Sequence, residues 1–536
     1  MLQFDPLYYP HKSQRTMVFA QNGMVATSQP LAAEAGLSVL RQGGNAIDAA
    51  VATAATLTVL EPTSNGIGGD AFALVWTGGK LYGLNSSGPA PRRLTIEEVE
   101  RRGHSEMPRW GWLPVTVPGV PAAWNALSER FGSLPLETNL SPAITYAGEG
   151  YPVSPTTGYY WQRAFDIYKQ NLKGPEFEPW FEVFAPEGKP PGIGEVFSSK
   201  GHAKTLESIA KTGARSFYQG DLAEKIVDFA AKTGGLIARE DLEAFVPEWV
   251  EPIKVNYRGF DVWEIPPNGQ GIVALMALNI LSLYDDLEFG TPLTYHRQIE
   301  AVKLAFSDAK ACVTDQRFRK VDVEGLLSLD YARSRMKLIG SSALLPKPGM
   351  LPQSGTVYLA TADRYGNMVS YIQSNYMGFG SGIVVPGTGI ALQNRGHTFS
   401  LDRTHVNCLE PGKRTYHTII PGFMTKGGEP VGPFGVMGAF MQPQGHVQVV
   451  MNAVGFGLNP QAALDAPRFQ WLEGKTVELE STMPDSVREK LSRMGHDVRI
   501  PVTSGSFGRG QIIWRMPNGT LAGGTEPRTD GTIAAY

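Results

Sequence analysis

A chain of 536 residues with 42% hydrophobic content can bury a large core, enough for about two to four domain-sized units or one large layered body. Its formal net charge is −3, only 18% of its residues are charged, and no block of like charges occurs. That balance excludes a nucleic-acid footprint and a membrane-surface patch and leaves small neutral or anionic molecules as the expected partners.

The opening stretch "MLQFDPLYYPHKSQR" has no basic segment followed by an apolar run and a small-residue cleavage site, so no secretory signal is expected. No run of about eighteen apolar residues occurs, so no membrane span is expected either. Cys312 and Cys408 are far apart and lack CxxC spacing, which argues against a disulfide framework or a zinc–cysteine site. The reading is a cytoplasmic protein without metal or cofactor. Its 61 glycines and 39 prolines, scattered throughout, predict many turns around a mixed α and β core.

Residues 28–42, "SQPLAAEAGLSVLRQ", predict a helix with Ser28 as cap, Pro30 in the first turn, Leu31, Ala35 and Val39 on one face, and Gly43-Gly44 as terminator. A second helix follows in "NAIDAAVATAATLTVL", with Asn45 as cap and Asp48 in the first turn, its alanines allowing close approach of another backbone. "EPTSNGIGGDAFALVW" is a Gly-rich loop entering a strand, and "TGGK" turns it into a hairpin.

From about residue 120 to 250 the signals are helical, as in "GVPAAWNALSERFG" and "HAKTLESIAKTGA". "RGFDVWEIPPNGQGIVALMALNIL" predicts strand, Pro-Gly loop and helix, after which Thr291-Pro292 opens a helix with Ile299, Val302, Phe306 and Ala309 on one face. Residues 338–355, "LIGSSALLPKPGMLPQSG", lose periodicity and read as a flexible linker.

After Thr356 the character becomes β-rich. "TVYLATADRYGNMVSYIQSN" is a hairpin turning at Arg-Tyr-Gly-Asn, and further strands follow around Gly-rich turns. A helix lies near "AALDAP", and "GQIIWRMPNGTLAGG" reads as a terminal hairpin.

Several common chemistries are missing: there is no G-x-S-x-G elbow, no H-E-x-x-H and no Walker A sequence. "GFGSGIVVPGTG" is followed by no helix start and reads as an inter-strand turn rather than a phosphate loop. His397, His405 and His417 do not have the spacing of metal ligands on one helix; for each, a core or solvated role competes with a place in a polar pocket.

The remaining candidate is Thr356, preceded by Gly355. A threonine hydroxyl is a weak nucleophile unless a base assists it, and the residue's own amino group can be that base once the residue is the first of a chain. An internal threonine reaches that state if its Oγ attacks the preceding carbonyl and water opens the resulting ester. Glycine before it exposes the scissile carbonyl and accepts the required backbone angles.

The motifs "NGMVATSQPLAAEAGLSVLRQGGNAIDAAVA", "GIGGDAF", "TVPGVPAAW", "PPNGQG", "TVYLATADRYGNMVS", "FGSGIVVPGTGIALQN" and "GLNPQAALDAPRF" resemble, in order and over nearly the whole chain, the γ-glutamyltransferase (glutathione hydrolase) family of N-terminal-nucleophile hydrolases. Within it the resemblance is strongest to the glutathione hydrolase-like proenzymes of bacilli, a branch near the oxamate amidohydrolases.

This resemblance implies an α+β fold, a four-layer αββα sandwich made from one proenzyme. The cut would fall between Gly355 and Thr356, giving a large chain 1–355 and a small chain 356–536 that stay together as a heterodimer. Thr356 would be the nucleophile, its freed amino group the base, and the acyl group would pass through an ester to water or an amine. Ser374 occupies the place of the hydroxyl that supports the nucleophile, and Gly438 with Ala439 the place of the oxyanion donors.

The implied substrate is a small amide of the γ-glutamyl type, but the positions that would hold the glutamyl head differ. The arginine for its α-carboxylate falls in "NSSGPAP", where Asn85, Ser86 and Ser87 stand. The serine pair for the same carboxylate falls at His417 and Thr418, and the aspartate for the α-amino group falls at Thr398. The expected substrate contacts are Ser87, Asn375, Arg395, His397, Thr398, His417 and Thr418. Gaining Arg395 and His397 while losing an acid suits a carboxylate better than an ammonium group. The same mechanism acting on oxamate or on a glutaryl amide, as in cephalosporin acylases, is therefore an alternative, and a non-catalytic scaffold is another.

Overall fold

The computed structural model describes residues 15–346, 356–502 and 504–536. Gly355 and half of the expected linker lie outside the described residues.

Two seven-stranded antiparallel sheets form the centre. The first runs Val18–Ala20, Leu521–Thr525, Arg509–Arg515, Glu429–Met437, Gly422–Lys426, Phe260–Glu264, Ile253–Tyr257. The second runs Thr532–Ala535, Gly23–Thr27, Val357–Asp363, Met368–Ser374, Asp70–Thr77, Lys80–Ser86, Glu248–Val250. Each sheet therefore mixes strands from before and after Thr356, so the expected change from helix-rich to β-rich character is not a boundary in space. The terminal hairpin is present, but one more strand, Thr532–Ala535, follows it and pairs with Gly23–Thr27.

Side-chain alternation makes the layers. In the strand Val357–Asp363, Val357 and Leu359 enter a core shared with the helices Ala46–Leu60 and Leu136–Glu149, while Tyr358, Ala360 and Ala362 enter the core between the sheets with Phe423 and Ile513. On the outer face of the first sheet, Val262, Phe434 and Ile512 pack with the helices Gly271–Leu281, Pro292–Cys312 and Met441–Val450. Helix, sheet, sheet, helix is the αββα order that the resemblance implies.

The helix expected at 28–42 spans Pro30–Arg41, and its cap is Gln29, whose side chain accepts from the Ala32 N–H. Ser28 instead donates its hydroxyl to Glu61 at 2.5 Å. The next helix, Ala46–Leu60, has the expected Asn45 cap. Asn45 Oδ1 accepts from Ile47 and Asp48 N–H, and Asp48 Oδ2 accepts in return from Asn45 N–H.

The described part of the linker is pinned rather than loose. Leu344 N–H donates to Glu300 Oε2, Lys303 Nζ donates to the Leu344 carbonyl, and His296 Nε2–H donates to the Gly340 carbonyl. Among the described residues no helix is long and apolar enough to cross a membrane, and both cysteines are free.

Candidate active site

The expected nucleophile lies at the start of the strand Val357–Asp363, fully buried and on the inter-sheet side. Its Oγ1 is 3.1 Å from Ser374 Oγ. Ser374 Oγ accepts from the Tyr376 N–H at 2.8 Å, which leaves its own proton able to point at Thr356 Oγ1. Ser374 is in turn the register partner of Asp70 on the next strand. Thr356, Ser374 and Asp70 therefore form one row across three adjacent strands.

The loop "NGIGGD" delivers Asp70 to that row. A Cβ on Gly69 would lie 2.7 Å from the Ser374 carbonyl oxygen and 2.9 Å from Asn375 Oδ1, so only glycine lets the loop pass this close.

Asp70 is the electrostatic hub of the site, and the sequence reading missed it. Its Oδ2 accepts from Arg395 Nε at 3.4 Å and from His417 Nε2 at 3.0 Å, and its Oδ1 accepts from the Gly88 N–H at 3.3 Å. The Ile419 N–H reaches His417 Nδ1 at 3.4 Å, which fixes the tautomer with the proton on Nε2. Burial, with the Arg395 charge beside it, pulls the His417 pKa down to about 4, so His417 is neutral at physiological pH. A signal for Asp70 did exist: an acid closing a glycine-rich loop and opening the apolar strand "DAFALVW" is a buried charge that needs a partner.

Arg395, 1% exposed, donates Nη1 to Thr418 Oγ1 at 2.6 Å, and its guanidinium lies 4.4 Å from the Tyr376 ring centroid. Its Nη2 is buried with no hydrogen-bond partner among the described residues, and the same holds for both side-chain polar atoms of Asn375. Arg395, His417, Thr418 and Asn375 thus lie close to the Thr356–Ser374–Asp70 row.

Three other expected contacts are engaged elsewhere. His397 Nδ1–H donates to the Met107 carbonyl at 2.6 Å. Thr398 Oγ1 lies 2.8 Å from the Arg395 carbonyl and 2.7 Å from Thr415 Oγ1, tying together two backbone segments. Ser87 Oγ donates to Asn85 Oδ1 at 2.7 Å and accepts from Asn268 Nδ2 at 3.3 Å.

Gly438 and Ala439 link the strand Glu429–Met437 to the helix Met441–Val450. Both have positive φ, 133° and 50°, and Gln270 Nε2 holds the Ala439 carbonyl at 2.8 Å. A cavity of about 270 Å³ opens beside Gly438, bordered by Ser64, Arg109, Tyr160, Arg163 and Arg509 among others. Ser64 connects it to the row, because its carbonyl accepts from the Asn375 N–H at 3.4 Å.

Away from this site, His296, Glu300 and His496 cluster in the core with the spacing of metal ligands. The Lys303 ammonium, 2.7 Å from Glu300, already supplies the positive charge there.

The family model described as Gamma-glutamyltranspeptidase matches residues 32–536. The chain is 37% identical to the glutathione hydrolase-like YwrD proenzyme of Bacillus subtilis, over 96% of this chain and 98% of that one. It is 33% identical to the oxamate amidohydrolase proenzyme of Klebsiella pneumoniae, over 96% and 98%. Among solved structures, a cephalosporin acylase from Bacillus halodurans superposes with a TM-score of 0.97 at 61% identity, over 100% of this chain and 99% of that one. A buried hydroxyl row at the head of a sheet in an αββα sandwich, joined to these matches, places the chain in the gamma-glutamyltranspeptidase family of N-terminal-nucleophile hydrolase proenzymes.

Proposed function

We propose that the chain is a self-processing amidohydrolase whose substrate is an amide of a carboxylate-bearing acyl group. In maturation Thr356 Oγ1 attacks the Gly355 carbonyl, the peptide C–N bond breaks as an ester forms and the Thr356 amino group takes up the proton, and water then hydrolyses that ester to give the Gly355 carboxylate and the free Thr356 hydroxyl. In turnover that amine takes the Oγ1 proton while Oγ1 attacks the substrate carbonyl. Ser374 O–H supports Oγ1, and the Gly438 and Ala439 N–H groups receive the oxyanion. Collapse breaks the C–N bond as the proton passes to the leaving amine, and water then cleaves the acyl ester.

The observation that carries the acyl preference is the imbalance between Arg395 and Asp70. Asp70 already receives three donors, whereas Arg395 Nη2 is buried without a partner among the described residues. A substrate carboxylate satisfies that open donor, whereas an ammonium group would have to share Asp70 with the Arg395 and His417 donors already on it. Glutaryl- or oxalyl-type amides fit this polarity. The second reading, a γ-glutamyl amide, is supported by the relatives named glutathione hydrolases.

Two measurements test the proposal. Intact mass of the mature protein should reveal a fragment beginning at Thr356, and a single uncut chain would remove the mechanism. Values of kcat/KM should favour glutaryl over γ-glutamyl anilide by about tenfold or more, and the reverse order would remove the acyl assignment.

A further inference from the structure

The motif "PPNGQG" contains Gln270, a fully buried side chain that the proposed mechanism leaves unused. Gln270 stands at the head of the helix Gly271–Leu281. Its backbone N–H donates to the His417 carbonyl at 2.9 Å, and the His417 N–H donates to the Asn268 carbonyl at 2.9 Å, so the motif and the segment around His417 run side by side. Asn268 Nδ2 adds a bond to the Thr415 carbonyl at 2.9 Å.

The Gln270 carboxamide reaches further. Its Nε2 donates to the Thr418 carbonyl at 2.6 Å and to the Ala439 carbonyl at 2.8 Å, and its Oε1 accepts from the Tyr416 hydroxyl at 3.3 Å. Two carbonyls on one side and a hydroxyl on the other fix the orientation of the amide. One side chain thus spans Thr418, whose Oγ1 accepts from Arg395 Nη1, and Ala439, in the turn proposed to hold the oxyanion. At φ 50° Ala439 has a conformation that an L residue keeps only when its surroundings hold it. Two donors on its carbonyl do so, Gln270 Nε2 and the Gln442 N–H at 3.2 Å. Without Gln270 the Ala439 backbone is freer to rotate, and the aim of its N–H changes with it.

We propose that Gln270 is a positioning residue for the reaction: it ties the oxyanion turn to the segment that contacts Arg395, so that the Ala439 N–H is aimed only while that segment is in place. Recognition of the acyl group is then felt in rate as well as in affinity. This inference rests on the function proposed above for the roles of Arg395 and of the turn.

The test is a split between kcat and KM, with processed chains counted by intact mass so that rates refer to mature sites. Gln270→Met keeps the length of the side chain and removes both N–H donors. It should lower kcat by about 10- to 100-fold with KM held within about threefold. A merely structural role would lower the urea midpoint and leave kcat per mature site intact. Tyr416→Phe keeps the ring that stacks on Phe440, with centroids 6.1 Å apart, and removes only the bond to Oε1. It should lower kcat about two- to tenfold at unchanged KM, and it decides the matter if Gln270→Met fails to fold. Thr418→Val, which cuts the bond from Arg395, should lower kcat on its own and add nothing to the kcat loss of Gln270→Met. Unchanged kcat in the Gln270 and Tyr416 variants, or losses in Gln270→Met and Thr418→Val that multiply, would overturn the proposal. Rates are read on whichever of the glutaryl and γ-glutamyl anilides the wild type cleaves faster, so a reversed acyl preference counts against the acyl reading alone. An uncut, inactive wild-type chain would remove both.

Discussion

Ser374 Oγ sits between two partners, accepting from the Tyr376 N–H and lying 3.1 Å from Thr356 Oγ1. Ser374 Oγ is thus within hydrogen-bond distance of the oxygen proposed to attack and can donate to it. A hydrogen bond to a developing charge is worth about 1.5–3 kcal/mol, or about 10- to 100-fold in rate. Ser374→Ala should lower kcat by that factor with little change in KM and slow the appearance of the Thr356 fragment, while Ser374→Thr should restore both. Steady-state kinetics with timed gel electrophoresis checks this; an unaltered kcat in Ser374→Ala would remove the assigned role.

Asp70 holds both Arg395 and His417, so its removal strands a buried cation. Breaking a buried pair by deleting one partner costs about 3–5 kcal/mol, whereas replacing both partners costs less. Asp70→Asn should therefore lower the urea midpoint more than Asp70→Asn combined with Arg395→Gln does. Additive losses in the double-mutant cycle would show that the two side chains are not coupled.

Gly438 and Ala439 differ in what their backbones tolerate. At φ 133° Gly438 is in a region open only to glycine, and an added Cβ would lie 3.2 Å from the Gly508 Cα. Gly438→Ala should move the N–H groups proposed to bind the oxyanion and cost about 10²- to 10³-fold in kcat. Ala439, at φ 50°, already has a left-handed conformation that glycine adopts freely, so Ala439→Gly should leave kcat within a few-fold and the thermal midpoint unchanged or slightly raised. Comparable losses in both variants would contradict this division.

The parts of the site legible in the sequence were those fixed by local pattern. Thr356 follows Gly355 at the start of an alternating strand; Ser374 came from the family resemblance, and the turn at Arg364–Asn367 sets the register that brings it opposite Thr356. For Asp70 the sequence signals a buried acid but not its partners, because Arg395 and His417 are more than 320 residues away and meet it only through the sheet order. Thr398 entered as an expected substrate contact because the resemblance puts the family's aspartate there, and its bond to Thr415 was hidden because it depends on a second segment folding back. The mixing of strands from both sides of Thr356 was also hidden, because strand partners such as Val18–Ala20 with Leu521–Thr525 leave no short-range signal.

His202 offers a pH test independent of the site. It is buried on the helix Lys200–Thr212, with Nε2 3.3 Å from Thr58 Oγ1, and the Thr58 hydroxyl donates to the Ala55 carbonyl. Its Nε2–H is therefore the donor and the ring is neutral. Burial lowers its pKa to about 4 from the ordinary 6.5. Between those values the unfolded chain takes up a proton that the folded chain does not, so stability attributable to this residue is complete above pH 6.5 and is lost as pH falls toward 4. The loss is about 1.4 kcal/mol per pH unit within the window. Other buried groups titrate as well, so the informative quantity is a difference: the urea stability of the wild-type protein minus that of His202→Gln should fall with this slope from pH 6.5 to 4 and be flat above pH 7. A difference independent of pH would mean that His202 takes up its proton equally in the folded and unfolded chain, which would contradict the effect assigned to its burial.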